Sequence, residues 1–260
     1  ESPANTSKPS RVNLFASCMV DQVAPSVGEC TVDVLEYLGL EVVFVKDQTC
    51  CGQPAFNSGF RSEAFPVAKR FVELFESVEG PIVVPSGSCA AMVRNFYKDL
   101  FRGDSDLIQR SSRLSGRLYE FTEFISKFFG TQAINGNLKT TATYHKCCHL
   151  LREIGVDEQP VEMLATIEGL ELKPLERADV CCGFGGSFSV KMPDISSAIL
   201  DEKLDFIEAT EAAAVVAADI GCVFQMQGGL RRRGSEIQVI HIAEALSRAV
   251  GGHAKTRHAR

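Results

Sequence analysis

The stretch GLEVVFVKDQTCCG (39–52) ends in two adjacent cysteines and a glycine, and GLELKPLERADVCCG (169–183) repeats both that ending and its approach. Neighbouring cysteines are poorly placed to bond each other, because the ring they would close is strained. The doubled pair therefore asks for another use. The repeat extends in both directions. Upstream, 31 residues separate Cys18 from Cys50 and 32 separate Cys148 from Cys181. Downstream, IVVPSGSC (82–89) answers VVAADIGC (215–222), leaving 37 residues between Cys51 and Cys89 and 39 between Cys182 and Cys222. Matching flanks on both sides identify a duplicated unit.

Each unit reads as α/β. VNLFAS (12–17), EVVFV (41–45) and PIVVP (81–85) are short, apolar and β-branched, as buried strands are. Between them Val27, Cys30, Val34, Leu35 and Leu38 recur on one helix face, and Phe65, Ala68, Phe71, Val72, Phe75 and Val78 on a longer one. The order βαβαβ predicts a parallel sheet with covering helices. The second unit repeats it with TATYH (141–145), LELKPL (170–175), AAVVAA (213–218) and a final IQVIHI (237–242). Its long helix is expected from about Asp194, capping after Pro193. The expected organisation is one cysteine-rich unit over 11–130 and another over 141–250, divided within GTQAINGNLKT (130–140). The two are expected to face each other about a pseudo-two-fold axis. Segments 1–10 and 251–260 are expected to be disordered.

The chain has 260 residues, 45% hydrophobic and 23% charged, enough to bury a sizeable core. A net charge of -6 argues against a general nucleic-acid or membrane-surface binder. The run Arg231, Arg232, Arg233 and the ending HAKTRHAR read as solvated. ESPANTSKPS at the start lacks an apolar stretch, so no signal peptide is expected, and no run reaches the ~20 apolar residues of a membrane span. Ten cysteines then point to a cytoplasmic, reducing setting and to metal or redox chemistry rather than disulfides.

In open parallel sheets the loops beyond the strands' carboxyl ends converge. Cys18, Cys50, Cys51 and Cys89 are expected on one such rim, and Cys148, Cys181, Cys182 and Cys222 on the other. Cys89 is placed at the mouth of a helix beginning near Ala90, where backbone N–H groups favour thiolate. Four thiolates suit a soft metal or an iron–sulfur cluster; zinc accepts four as well, although its usual signature is CxxC. Adjacent side chains point apart, so both reach one site only across a sharp turn, which Gly52 and Gly183 permit, or by touching different atoms of a larger object.

The remaining candidates divide. Cys30 reads as a core thiol. Cys147 is either a spare ligand or a bystander; His145 and His149 either ligate or relay a proton, or orient the loop through hydrogen bonds. His241 reads as a satisfied core histidine, and Arg152 either offsets cluster charge or lies on a helix surface. GFGGS (183–187) lacks the Lys-Ser/Thr of a P-loop and the spacing of GxGxxG, so its glycines read as close backbone packing.

LFASCMVD (14–21), CCGQPAFNSG (50–59), PSGSC (85–89), YHKCCHLLREIG (144–155) and CCGFGGSFSVK (181–191) occur in order. Together they resemble the CCG cysteine-rich family, which includes the cysteine-rich subunit of heterodisulfide reductase and the glycolate oxidase iron–sulfur subunits, and within it a lactate-oxidising branch. The resemblance spans about residues 11–250. It implies a cytoplasmic iron–sulfur protein needed to oxidise L-lactate to pyruvate, working with an iron–sulfur companion subunit and a third lactate-utilization protein. The chain departs from the wider family where each unit should end in CxxC: Met92 and Gln225 stand at the last cysteine positions. That favours an ordinary 4Fe–4S cluster, or zinc in one site, over a five-thiolate cluster, and it demotes heterodisulfide reduction. Other readings are an iron–sulfur subunit for another 2-hydroxy acid such as glycolate, and a zinc-stabilised scaffold. No Ser–His–Asp or paired-carboxylate constellation and no flavin or nicotinamide motif is legible. No catalytic residue is assigned, and the chain is expected to be inactive alone.

Overall fold

The computed structural model describes residues 8–252; the terminal segments 1–7 and 253–260, on which most of the expected disorder falls, lie outside the described residues. Two four-stranded sheets form the frame. In the first, β1 (Arg11–Leu14), β2 (Glu41–Phe44), β3 (Ile82–Val84) and β4 (Leu118–Glu120) lie in the order β2-β1-β3-β4. In the second, β5 (Asn137–His145), β6 (Glu168–Leu172), β7 (Ala214–Ala217) and β8 (Gln238–His241) lie in the order β6-β5-β7-β8. Every pairing is parallel. The same order in both sheets is the duplicated α/β unit. In each, the chain leaves the first strand, builds the second on one side and crosses back to build the third on the other. That reversal opens a crevice beyond the carboxyl ends.

Two strands differ from expectation. β4 is a fourth strand in the first unit, only three residues long and paired with β3 alone (Ile82 with Leu118, Val84 with Glu120). Three residues between helices Ser105–Ser115 and Phe121–Phe129 are too few for a period of two to emerge. β5 begins at Asn137, inside the segment read as the division, and its register shifts between Asn137 and Thr140. Its polar first half lies at the exposed end of the sheet, so only 142–145 carry a buried signature.

The helices bury the faces the periodicity marks. Pro25–Tyr37 buries Val27, Cys30, Thr31, Val34 and Leu35, and Arg61–Glu76 buries Ala64, Ala68, Phe71, Val72 and Phe75. Phe71 meets Phe15 and Phe75 with ring centroids 4.8 Å and 4.6 Å away. The long second-unit helix starts at Pro193, with Met192 at the N-cap. Asp194 therefore stands in the first turn, where its charge faces the helix dipole, and does not cap it.

A continuous core crosses between the units, joining Val12, Val83 and Phe121 to Ala142, Tyr144 and Leu246. Helix Pro25–Tyr37 lies along Ile242–Ala249, where Ser26 Oγ donates to Glu244 at 3.3 Å and Ser247 Oγ to Asp33 at 2.8 Å. Cys30 sits in this core with no exposure, and burial pushes its thiol up to about 11. It is a core thiol, as its helix position implies. Cys30→Ser should lower stability by about 1–3 kcal/mol, the cost of burying a hydroxyl there, and leave metal content unchanged. Denaturant unfolding and metal analysis check this.

Glu120 ends β4 and caps the helix Phe121–Phe129, accepting from the N–H groups of Thr122 and Glu123, while Oε1 finds no partner among the described residues. Burial raises its carboxyl to about 7. The folded state thus holds this proton more tightly than the unfolded chain. The resulting stability is full below the ordinary carboxyl range and is lost as pH rises toward 7. Over that window it amounts to about 3 kcal/mol at most. Glu120→Gln should flatten the stability–pH curve between pH 4.5 and 7, read by denaturation at a series of pH values.

Candidate metal centre

Each cysteine is placed by a short device at a strand end. Ser17, three residues past β1, caps the helix Cys18–Val23 by accepting the Val20 N–H at 3.4 Å, which makes Cys18 the first helical residue. Ser86, just past β3, caps Gly87–Ala91 by accepting the Cys89 N–H at 3.3 Å. This helix begins at Gly87, before the expected Ala90, so Cys89 lies inside the first turn. Asp219 repeats the arrangement after β7: its Oδ1 accepts the Gly221 N–H at 3.1 Å and Cys222 occupies the same third position of Ile220–Arg232.

The paired cysteines are resolved by their glycines. Gly52 and Gly183 have φ of 88° and 82°, which turns the backbone sharply after each pair. Their N–H groups donate back to Cys50 Sγ at 3.4 Å and Cys181 Sγ at 3.3 Å. A Cβ at Gly183 would lie 2.5 Å from the Ser196 carbonyl oxygen, so close packing, not phosphate binding, accounts for this glycine. The two neighbours then take different partners: Cys50 lies 3.5 Å from Cys18, and Cys51 lies 3.5 Å from Cys89. The loops are tied by Gln48, which accepts from Ala16 N–H at 2.8 Å and donates to Leu14 and Val45 carbonyls, and by Tyr97, whose hydroxyl donates to the Cys51 carbonyl at 2.9 Å.

All eight candidate cysteines line one cavity of about 310 Å³, and Cys147 lines it with them. The two halves meet there through one carboxylate. Asp219 Oδ2 accepts from Ser86 Oγ and from Ser88 N–H, each at 3.1 Å, while Oδ1 caps its own helix. Ser86 and Asp219 occupy equivalent positions in the repeat, three residues before Cys89 and Cys222. Gly87 allows the close approach, since a Cβ there would stand 2.8 Å from Leu150 Cβ.

Charge is divided unequally among these sulfurs. Hydrogen bonds from Cys18 and Cys51, with the Gly52 N–H, hold Cys50 down to about 3. Cys181 is held down to about 2 by hydrogen bonds from Cys148 and Cys182 and by the Gly183 N–H. The donors Cys18 and Cys148 are pushed well up in turn, as are the buried Cys51 and Cys222. Cys50 and Cys181 are thus the favoured thiolates, and the thiols that donate to them hold their protons. Metal entry must displace those protons. Four sulfurs per unit, N–H groups aimed at sulfur and helix N-termini at Cys18, Cys89 and Cys222 suit a thiolate-bound soft metal or an iron–sulfur cluster. Met92 is buried in a wide π turn (Met92–Phe96), and Gln225 Nε2 donates to Ser196 Oγ at 3.1 Å; neither lines the cavity.

Of the remaining candidates, His149 lines the cavity with Nδ1 3.7 Å from Cys148 Sγ. His145 ends β5 and is buried. It is 1% exposed, neither ring nitrogen makes a hydrogen bond of normal geometry among the described residues, and burial pulls it down to about 3. A backbone contact with Ala178, in the loop that leads to Cys181, opposes that shift. His241 Nδ1 accepts from Ala243 N–H at 3.2 Å and caps the last helix, while Nε2 makes no hydrogen bond of normal geometry among the described residues. Arg152 is exposed and donates to the Asp179 carbonyl at 3.3 Å, a surface role. Asp219 and Ser86 are not singled out by the sequence pattern, although a Ser or Asp three residues before a helical position is an N-cap signature. Lys203 is not singled out either. Fully buried among Leu200, Leu204 and Ile207, it donates to the carbonyls of Arg177 (3.0 Å) and Ala178 (2.9 Å), pinning the loop before Cys181.

A parallel α/β unit, written twice, with a CCG turn feeding each half of one thiol-lined cavity defines the CCG cysteine-rich domain class. The family model described as a cysteine-rich domain, CCG, matches residues 12–94 and 142–227. More narrowly, the chain belongs to the lactate utilization protein A family. It is 43% identical over 240 residues to lactate utilization protein A 2 of Bacillus cereus strain Q1, covering 92% of this chain and 99% of that protein. It is 44% identical over 237 residues to lactate utilization protein A of Geobacillus sp. strain WCH70, covering 91% and 99%. The fold is shared with a hypothetical protein from Helicobacter pylori whose crystal structure superposes with a TM-score of 0.63 at 10% identity. That match covers 95% of this chain, which spans half the length of the solved one.

Asp219→Ala should remove one helix cap and the bridge to the other unit. Each lost cap costs about 1–2 kcal/mol, so a loss of about 2 kcal/mol or more is expected in denaturant unfolding. Metal retention against a chelator should fall in parallel, because Cys89 and Cys222 both sit on the helices it joins.

Proposed function

We propose that this chain is the iron–sulfur electron-transfer component of a cytoplasmic system that oxidises L-lactate to pyruvate. The observation that carries the reading is the convergence of two four-thiol sets on one cavity, in a chain whose relatives are named for lactate utilization. The first unit, 11–130, would hold its group through Cys18, Cys50, Cys51 and Cys89. The second, 141–250, would use Cys148, Cys181, Cys182 and Cys222. Bound 4Fe–4S clusters would supply one-electron carriers, which a two-electron oxidation needs if its electrons leave singly. The chain's own residues then hold sulfur at fixed places, with the Gly52 and Gly183 N–H groups donating to it.

The cavity wall also supports a division of labour. Its one carboxylate, Asp219, is committed to two helix N-termini and is not free to take a proton from a substrate. The lactate chemistry would therefore need companions, an iron–sulfur subunit and a third lactate-utilization protein. Helices long and apolar enough to cross a membrane are absent among the described residues.

Anaerobic purification should yield iron and acid-labile sulfide, and the isolated chain should not turn over L-lactate until its partners are added. Deleting the gene should abolish growth on L-lactate and spare growth on pyruvate. Normal growth on lactate without a second lactate oxidase would remove the lactate assignment; failure on glycolate instead would move it to that acid. Tight zinc with no iron, even after anaerobic reconstitution, would favour a non-redox scaffold.

A further inference from the structure

We infer that the second unit contains a mononuclear metal site that the first unit lacks, built from His145, Cys147 and Cys222 for a divalent cation of the zinc type. One ring nitrogen and two sulfurs lie within 4.8 Å of one another, and all three residues are buried. They come from neighbouring elements: His145 ends β5, Cys147 follows it, and Cys222 lies in the first turn after β7, which pairs with β5. The Ala218 N–H, at the end of β7, donates to Cys147 Sγ at 3.3 Å, as a backbone group does to a ligating sulfur. Cys147 and Cys222 line the cavity and His145 does not, so the site reaches inward from the cavity wall.

The imidazole is the telling group. Both of its nitrogens are buried without a hydrogen-bond partner of normal geometry among the described residues. A buried polar group in that state calls for an occupant that satisfies it. A cation held with two thiolates does so. Cys182 contacts Cys222 but lies outside this set, so the three donors leave a fourth position open, and His/Cys₂ is a donor combination that suits zinc.

The first unit has no such donors. Counting back from Cys18 as from Cys148, Phe15 stands for His145 and Ser17 for Cys147. Phe15 packs on Phe71 and Phe75, with ring centroids 4.8 Å and 5.5 Å away, and Ser17 is spent as a helix cap. The duplication thus kept the rim and diverged one layer below it. A cluster on the second rim and a cation in the inner set share Cys222, so they are alternative occupants. The inference does not depend on the lactate reading.

The test uses the full chain with the four half-buried rim cysteines replaced: Cys18→Ser, Cys50→Ser, Cys148→Ser and Cys181→Ser. Reduced, anaerobic and metal-free, this protein should bind one equivalent of Co²⁺ with tetrahedral visible bands. X-ray absorption of the Zn²⁺ form should show nitrogen beside sulfur. Adding His145→Phe or Cys147→Ser, the first unit's own residues, should weaken Zn²⁺ binding by more than about a hundredfold, beyond what loss of a merely supporting side chain gives. Circular dichroism checks that each variant is folded. An all-sulfur shell, read without either added change, overturns the inference. So does a folded Cys147→Ser form that binds Zn²⁺ as tightly as its parent, or a rim-replaced protein that takes up no Co²⁺.

Discussion

The carboxylate of Asp219 is the interaction on which the rest of the site depends. Its two oxygens take three donors, the N–H groups of Gly221 and Ser88 and the Ser86 hydroxyl. A buried charge costs several kcal/mol to desolvate, while each hydrogen bond to a charged group returns about 1.5–3 kcal/mol, so all three are needed. Two helix N-termini supply them, and both would otherwise leave donors unsatisfied in the interior. The asymmetry of the repeat is what lets the halves meet. Two aspartates facing each other would repel and two serines would offer no anion, but one of each makes an acceptor and a donor.

From that fixed junction the rim geometry follows. Cys89 and Cys222 ride on the joined helices, and the CCG turns bring the paired cysteines against them and against Cys18 and Cys148. A CCG turn therefore does more than double the sulfur count. It sends one thiol to the half-buried mouth and its neighbour inward, with the glycine N–H anchoring the outer sulfur as thiolate. One local motif thereby sets both position and protonation.

Much of this was legible from spacing. Strand-and-helix periodicity gave three strands of the first sheet and all four of the second, and the cysteine intervals marked the rim because parallel topology leaves few places for strand-end loops to go. β4 stayed hidden because three residues cannot display a period, and the start of β5 because its polar half lies at an exposed sheet end. Cys147 and His145 were visible as candidates but not separable from bystanders. Their significance lies in which side chains face them across the sheet, and a local pattern carries no such information. Lys203 is harder still. On a helix that reads as amphipathic it occupies the apolar face, and only the carbonyls it meets explain it.

That lysine makes the two copies electrostatically unequal. Counting from the second cysteine of each pair, Val72 stands in the first unit where Lys203 stands in the second, and both are fully buried. Burial lowers the ammonium to about 8, while first Asp179 and then the sulfurs of Cys182, Cys222 and Cys147 pull the other way. The second unit, with its extra thiol, thus carries a matching extra cation, and the first, with neither, surrounds its sulfurs with Phe15, Phe71 and Tyr97. Duplication supplied the frame, and divergence one layer beneath the rim gave its two halves different capacities for charge.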